Sequence, residues 1–440
     1  MPDYHPVVEK YGLQVLEAAG FLNDTDVQMT PDLRGQLAIA GYRNPEGEMR
    51  KMLHPVFRRD LWTNASKAQF AVMQPSILLA TAILDDPVTL CYFHALTVPA
   101  KEMETLSLDT CTVRTECKVM EIPEYLTAVE QNEILDKLCK TREWIQWTLT
   151  DSLFAATGQT NRIEDEVGNK RPASSSKTAQ SMIEISSYFT EVLLYHRALK
   201  TNPHDSRHED IHLDTLLTAG IKPSHLRSQI SLNSSMNRTI IQLTITLLHE
   251  FTHAFTIAWH ERQDSSPSSP SSLHASIADT MQDVLKEPFC PGNKSNEQGF
   301  CFENYIFGGV VKPIHTLLPV LSDAFVAQQM CLAVLGLSIS QTWDIWAEND
   351  GSHDMGIVDD SNNMTSPLER GNDIQFPVPA KWVSWLVGER CWGEEVQRFG
   401  LQVAVKVPKV KGWGVVRKEQ GERGVWGTGE ERWGGCGRGG

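Results

Sequence analysis

One apolar stretch near the middle of the chain reads Thr239-Ile-Ile-Gln-Leu-Thr-Ile-Thr-Leu-Leu-His-Glu-Phe-Thr-His-Ala-Phe-Thr-Ile-Ala-Trp259. The residues before His249 are apolar nearly all round, which is typical of a buried helix. The stretch contains His249, Glu250 and His253 in the spacing H-E-x-x-H. Because positions four apart lie on the same face of an α-helix, the two imidazoles can bind one metal ion. Glu250 would then lie beside a water bound to that metal.

This spacing is the one that a metal-assisted hydrolase needs. It supplies two neutral nitrogen ligands and a carboxylate, Glu250, that can take the proton of a water molecule, while a third ligand comes from elsewhere. Ionisable groups on an apolar helix are costly to bury unless something pairs with them, which favours the metal interpretation. The alternative is a buried helix whose histidines and glutamate hydrogen-bond to neighbouring side chains.

A second helix is predicted downstream, within the segment Ser295-Asn-Glu-Gln-Gly-Phe-Cys-Phe-Glu-Asn-Tyr-Ile-Phe-Gly-Gly309. Ser295 and Gln298 have the spacing of a capping box, which predicts the start of the helix. Gly308 and Gly309 predict its end. The segment carries two carboxylates that could complete a metal site.

Glu303 is the predicted third ligand. Gly299, Glu303 and Phe307 recur every four residues and share one helix face. A glycine one turn before Glu303 would let this helix approach another closely and bring the carboxylate to the metal. Glu297 is the alternative third ligand, and either glutamate could instead be a solvated carboxylate on the helix surface.

The motif His249-Glu250-x-x-His253 on an apolar helix resembles that of the zincin metallopeptidases. Asn296-Glu-Gln-Gly-Phe300 is similar to the Asn-Glu-Gly-Phe of zinc aminopeptidases, in which the glutamate binds zinc, but Gln298 is inserted here. The whole pattern, H-E-x-x-H followed by E-x-G-x-x-x-E-x-x-x-F-G-G, also resembles a set of uncharacterised fungal proteins. The resemblance covers about residues 228–309 and implies a gluzincin-like zinc site with a glutamate ligand, without indicating a substrate.

In zincins an edge strand that precedes the active-site helix commonly lines the substrate cleft. Ser228-Gln-Ile-Ser-Leu-Asn233 alternates apolar and polar residues as a strand does. The resemblance therefore makes residues 230–233 the candidate for that strand.

Composition limits the function classes. The chain has 440 residues, of which 41% are hydrophobic and 22% charged, as in an ordinary globular protein. Its net charge of −15 argues against binding to nucleic acids and to anionic membranes. Nine cysteines without a C-x-x-C pair argue against a disulfide framework and a zinc finger. With neither a signal peptide nor a transmembrane segment predicted, a cytoplasmic location is expected.

Three regions are predicted along the chain. Residues 1–160 are expected to be mostly helical, and residues 178–405 to form the metal-binding region with a Ser/Pro insert at 264–272. The Gly/Trp-rich tail at 409–440 is expected to be disordered.

Within the first region, residues 125–156 are predicted to form one long helix or two, and residues 157–177 a loop or linker. The core candidates of the long helix are Leu135, Leu138, Trp144, Trp147 and Leu149.

The predicted fold class is α+β, predominantly α-helical, with a zincin-like active-site helix pair and a small sheet. The predicted function is a zinc-dependent metallopeptidase or related hydrolase, with Zn2+ as its metal and a peptide or protein as its substrate. Glu250 would be the general base, and His249, His253 and Glu303 or Glu297 the ligands. The alternative is a catalytically inactive zincin-like binding or scaffold protein, which would not need a glutamate beside the first histidine.

Overall fold

The computed structural model describes residues 6–22, 53–98, 101–102, 118–153, 157–163, 181–201, 232–264, 297–314, 336–340, 374–388, 391–410 and 415–416. Within these residues helices predominate and the sheets are small, so the α+β class expected from the sequence is confirmed.

Eleven α-helices are present in the described part of the chain. In chain order they are α1 (Pro6–Tyr11), α2 (Leu13–Ala18), α3 (Lys67–Leu84), α4 (Pro87–Thr97), α5 (Ala128–Thr141), α6 (Tyr188–Thr201), α7 (Leu232–Asp264), α8 (Gln298–Phe307), α9 (Ala380–Leu386), α10 (Val396–Phe399) and α11 (Leu401–Ala404). Short 3-10 turns lie at Pro55–Phe57 and Arg59–Leu61, and a π-helical turn lies at Cys391–Glu395.

The strands form three sheets in the same residues. They are β1 (Lys101–Glu102), β2 (Lys118–Val119), β3 (Ile145–Thr150), β4 (Gly158–Arg162), β5 (Ser181–Ser186), β6 (Val310–Ile314), β7 (Gly336–Ser340), β8 (Ile374–Pro377) and β9 (Val415–Val416). Their orders are β1-β2, β3-β5-β4 and β6-β7-β8-β9.

Helix α7 contains the H-E-x-x-H motif and has 33 residues, most of them buried where the side chains are described. Helix α3 packs along it, and the Ser76 hydroxyl donates a hydrogen bond to the carbonyl of Ile240 at 3.0 Å. Within the described residues α3 is also the one helix long and apolar enough to cross a membrane by length and composition. However, 67% of that window is buried inside the structure, as in a core helix.

The strand expected at residues 230–233 is wrong for its second half, because α7 already begins at Leu232. Residues 230 and 231 lie outside the described part of the chain. The alternation of apolar and polar residues in 228–233 covers only six residues. It is a weaker signal than the long apolar helical pattern that follows Asn233.

The sheet β3-β5-β4 corrects two predictions at once. Strand β3 lies within residues 125–156, where only helix was expected, and β4 lies within 157–177, where a loop was expected. Ile145, Trp147 and Leu149 alternate with more exposed residues, which is the pattern of a strand with one buried face. Strand β3 is parallel to β5, and β4 is antiparallel to it.

The second large sheet, β6-β7-β8-β9, is antiparallel throughout. Strand β6 begins directly after α8, and the left-handed Gly308 (φ 80°) ends that helix where the sequence predicted a stop. The predicted tail at 409–440 contains β9, which pairs with β8, and Lys409, whose ammonium donates to the carbonyl of Gly308 at 2.8 Å. Residues 417–440 lie outside the described part.

An aromatic cluster joins the helices that carry the candidate site residues. Phe93 of α4 is fully buried, with its ring centroid 5.7 Å from Phe251, 4.9 Å from Phe255 and 5.6 Å from Phe302. Phe251 and Phe255 belong to α7 and Phe302 to α8. One side chain therefore contacts both helices. The wider hydrophobic cluster includes residues from both the predicted 1–160 region and the predicted 178–405 region.

The substitution Phe93→Ala tests this packing. Removing a fully buried phenylalanine is expected to lower the free energy of unfolding by about 3–5 kcal/mol, since it leaves a cavity between α4, α7 and α8. Phe399→Ala is the matched control, because Phe399 is 48% exposed, and it should cost less than about 1 kcal/mol. Urea unfolding followed by tryptophan fluorescence would measure both, and equal losses would contradict the assigned core.

Candidate metal centre

Helix α7 places His249 and His253 one turn apart on the same face. Their ring centroids are 5.2 Å apart. The side chains are 13% and 19% exposed, so both rings reach the edge of the core instead of being sealed within it. The sequence prediction that these two histidines share one face is therefore confirmed.

Glu297 lies at the beginning of α8 and faces both histidines. It is the N-cap of the helix, and its Oε2 accepts a hydrogen bond from the backbone N–H of Phe300 at 2.5 Å. Its Oε1 lies 3.2 Å from Nε2 of His249 and also contacts Nε2 of His253. The sequence placed the start of this helix at a Ser295 capping box. The cap is Glu297 instead, and Ser295 lies outside the described residues.

His249, His253 and Glu297 form a group that could hold a metal ion. One potential ligand atom of each residue lies within 4.8 Å of those of the other two. Two ligands bound to zinc in tetrahedral geometry at 2.0–2.1 Å would lie about 3.3 Å apart. The separation of 3.2 Å between His249 Nε2 and Glu297 Oε1 is close to that value. Two imidazole nitrogens and one carboxylate oxygen are also ligands that several divalent metals accept.

Glu303, the predicted third ligand, contacts the other nitrogen of the same imidazole. Its Oε1 lies 2.8 Å from Nδ1 of His249, and its Oε2 accepts a hydrogen bond from the backbone N–H of Val311 at 3.1 Å. When Nδ1–H of His249 donates to Glu303, Nε2 presents its lone pair toward Glu297 and His253. Of the two glutamates considered from the sequence, the structure groups Glu297 with the histidine Nε2 atoms and places Glu303 behind His249.

Gly299 lets α8 approach α7 at this point. A Cβ added to Gly299 would lie 2.5 Å from Cδ2 and Cε1 of His249, closer than real Cβ atoms come to other atoms. The expectation that a glycine near Glu303 permits close approach of the two helices is confirmed. The adjacent Phe300 packs edge-on against the His249 ring, with centroids 4.6 Å apart. The His249 imidazole is therefore confined by the α8 backbone at Gly299 and by the adjacent Phe300 ring.

Glu250 lies next to the ligand group but does not belong to it. Its side chain is buried, and its Oε2 accepts a hydrogen bond from the Thr160 hydroxyl at 2.8 Å. Thr160 lies on β4, a strand that the sequence did not predict. The run Gly158-Gln-Thr-Asn-Arg162 has one β-branched residue and no apolar one, so it carries no hydrophobic alternation from which a strand could be recognised.

Burial and mutual charge shift the pKa values of these groups in the metal-free protein. Burial lowers the pKa of His249, but the nearby carboxylates, above all Glu297, outweigh burial and raise it to about 10. Burial raises the pKa of Glu297, but His249 and His253 outweigh this effect and hold the pKa below its usual range. Burial dominates at Glu250 and Glu303, where the pKa of each carboxyl is raised. His249 is therefore protonated at neutral pH in the metal-free protein.

No model of a known protein family matches the sequence, and neither a curated protein nor a solved structure matches it. The resemblance of the H-E-x-x-H segment to zincins therefore stays a prediction.

The substitution Gly299→Ala is expected to weaken zinc binding at least about tenfold, because the new methyl group occupies the place of the His249 ring. Gly158→Ala is the matched control. Its Cβ would meet Cγ of Glu250 at 2.7 Å and not a histidine, so it should disturb Glu250 while leaving the ligands in place. Competition with a chromophoric chelator measures both affinities. Equal zinc affinities for Gly299→Ala and the unmodified protein would contradict the assigned ligand geometry.

Proton release offers a second test of the centre. With a pKa of about 10, His249 is protonated at neutral pH in the metal-free protein, and only a neutral imidazole binds a metal. Zinc binding at pH 7 should therefore release about one proton from His249, and affinity should rise up to about tenfold per pH unit below that pKa. Calorimetry in buffers of different ionisation enthalpy counts the protons. Zinc binding without proton release would contradict the raised pKa.

Proposed function

We propose that the chain is a zinc-dependent metallopeptidase or a related hydrolase. The observation that carries the proposal is the grouping of His249, His253 and Glu297, with Glu250 beside the first ligand and outside the ligand group. In this proposal the two histidines and Glu297 bind the metal, and Glu250 is the general base. The helix pair α7–α8 would correspond to the active-site helices of a gluzincin-like protein.

The donor set supports a catalytic ion over a structural one. Catalytic zinc sites have three protein ligands and keep one position open, whereas structural sites close with four. Three potential ligands form the group within the described residues. Zinc is proposed as the metal because two imidazoles and one carboxylate form the donor set of known catalytic zinc sites.

Each nearby carboxylate has a distinct proposed task. A zinc ion in this site would lower the pKa of a bound water toward neutrality. Glu250 would accept a proton from the attacking water and later give it to the leaving amine. Glu303 keeps His249 in the tautomer whose Nε2 faces the ligand group. The proposed substrate is a peptide or protein.

The first test is zinc content in the purified full-length protein and in single variants. About one zinc per chain is expected, with binding lost in His253→Ala and Glu297→Gln because a ligand is removed. Glu303→Gln should weaken zinc binding by about 10–100-fold, the usual effect of removing a hydrogen bond to a ligand histidine. The matched control is Glu133→Gln, an exposed carboxylate on α5.

The second arm of the test is cleavage of a quenched-fluorescent peptide library by the zinc-loaded protein. Glu250→Gln should keep its zinc and lose cleavage by about 10²–10⁴-fold, the usual contribution of a general base. Stoichiometric zinc without cleavage of any peptide would favour the inactive binding or scaffold protein. If the protein takes up no zinc when the metal is supplied, the metallopeptidase proposal is wrong.

A further inference from the structure

Strand β4 contacts α7 at the position of Glu250. Thr246, one turn before Glu250, donates from its hydroxyl to the Thr157 hydroxyl at 3.1 Å, just before β4 begins. The backbone of Gly158 then passes so close to the helix that a Cβ there would meet Cγ2 of Thr246 at 2.8 Å and Cγ of Glu250 at 2.7 Å. Two residues later, Thr160 reaches the carboxylate itself.

The Thr160 hydroxyl lies near two oxygens of the same residue. Its Oγ1 is 2.8 Å from Oε2 of Glu250 and 2.9 Å from the Glu250 backbone carbonyl oxygen. Gly158 faces the other carboxylate oxygen, since a Cβ there would lie 2.9 Å from Oε1. The Glu250 side chain thus has the Thr160 hydroxyl at Oε2 and the Gly158 backbone, which carries no side chain, near Oε1.

A hydrogen bond that served only to attach β4 to α7 would be complete with the backbone carbonyl of Glu250 as its acceptor. The second acceptor is Oε2 of the Glu250 carboxylate, and the proposed function makes this carboxylate the general base. Thr160 is also placed to act without touching the metal ligands, because the hydrogen bonds of its side chain go to Glu250 and not to His249 or His253.

We propose that Thr160 is a positioning residue for Glu250. Its hydroxyl donates to Oε2 and fixes the rotamer of the carboxylate. This inference rests on the proposed function, because it assigns to Thr160 a task that exists only if Glu250 is the base. A carboxylate held in one orientation by a hydrogen bond needs no reorientation when the proton is transferred.

The test uses acetohydroxamate, a zinc chelator whose hydroxamate group can hydrogen-bond to a carboxylate beside the metal. Its dissociation constant is measured on the zinc-loaded full-length protein, together with the zinc affinity of each variant. Thr160→Val keeps the β-branched shape and removes the hydroxyl, whereas Thr160→Ser keeps the hydroxyl. Thr148→Val, on β3 of the same sheet, is the matched control for loss of a threonine hydroxyl.

Thr160→Val should weaken acetohydroxamate binding about tenfold and leave zinc affinity within about threefold, because a hydrogen bond to a charged group is lost beside an intact ligand set. Thr160→Ser and Thr148→Val should bind acetohydroxamate as the unmodified protein does. In a Glu250→Gln background, Thr160→Val should have little additional effect, since the two residues act as one unit. A merely structural contact would weaken binding in both backgrounds alike.

Unchanged acetohydroxamate binding in Thr160→Val would overturn the assignment of Thr160 and leave the metallopeptidase proposal standing. An equal loss of zinc affinity in Thr160→Val would also overturn the assignment of Thr160, because Thr160 would then act on the metal ligands or on the fold. If the unmodified protein binds zinc but not acetohydroxamate, the metal has no open position and the proposed function fails, taking this inference with it. The two failures are therefore distinguishable.

Discussion

The buried ionisable groups between α7 and α8 are the constraint on which the centre depends. His249, Glu250, Glu297 and Glu303 lie in or at the edge of an apolar core, where isolated charges are strongly disfavoured. Each of them has a partner: Glu303 contacts His249, Glu297 contacts both histidines, and Thr160 contacts Glu250. Neutralising either glutamate that contacts the histidines would leave a buried group with less compensation for its charge.

The surrounding elements can be understood as supports of this group. Helix α7 supplies the two histidines, and the aromatic cluster around Phe93 fixes α7 against α8. The sheet that begins with β6 contributes the Val311 N–H, which fixes one oxygen of Glu303. The sheet β3-β5-β4 contributes the Thr160 hydroxyl, which donates to Glu250. Both sheets are small, and each supplies one hydrogen-bond donor to a carboxylate of the centre.

The sequence was informative where a residue's role followed from helical spacing. His249 and His253 are recognisable because four residues make about one turn, and Gly308 ends α8 as a left-handed glycine. The position of Glu297 was harder to infer, because a glutamate at an N-cap is unusual and the inserted Gln298 obscured the similarity to aminopeptidases. Strand β4 could not be inferred, since its polar residues owe their conformation to pairing with β5 and packing on α7. Trp147 and Leu149, predicted as core residues of a helix, lie two residues apart on the buried face of β3 instead, and the Glu- and Lys-rich helical pattern before them obscured this alternation.

The N-cap role of Glu297 has a thermodynamic consequence. One of its oxygens caps the first turn of α8, while the other faces the two histidines. The end of a helix and a candidate cation site therefore share the Glu297 side chain, whose orientation affects both helix capping and cation binding. By linkage, whatever favours the closed first turn of α8 strengthens cation binding, and the cation in turn suppresses fraying of that turn by the same factor.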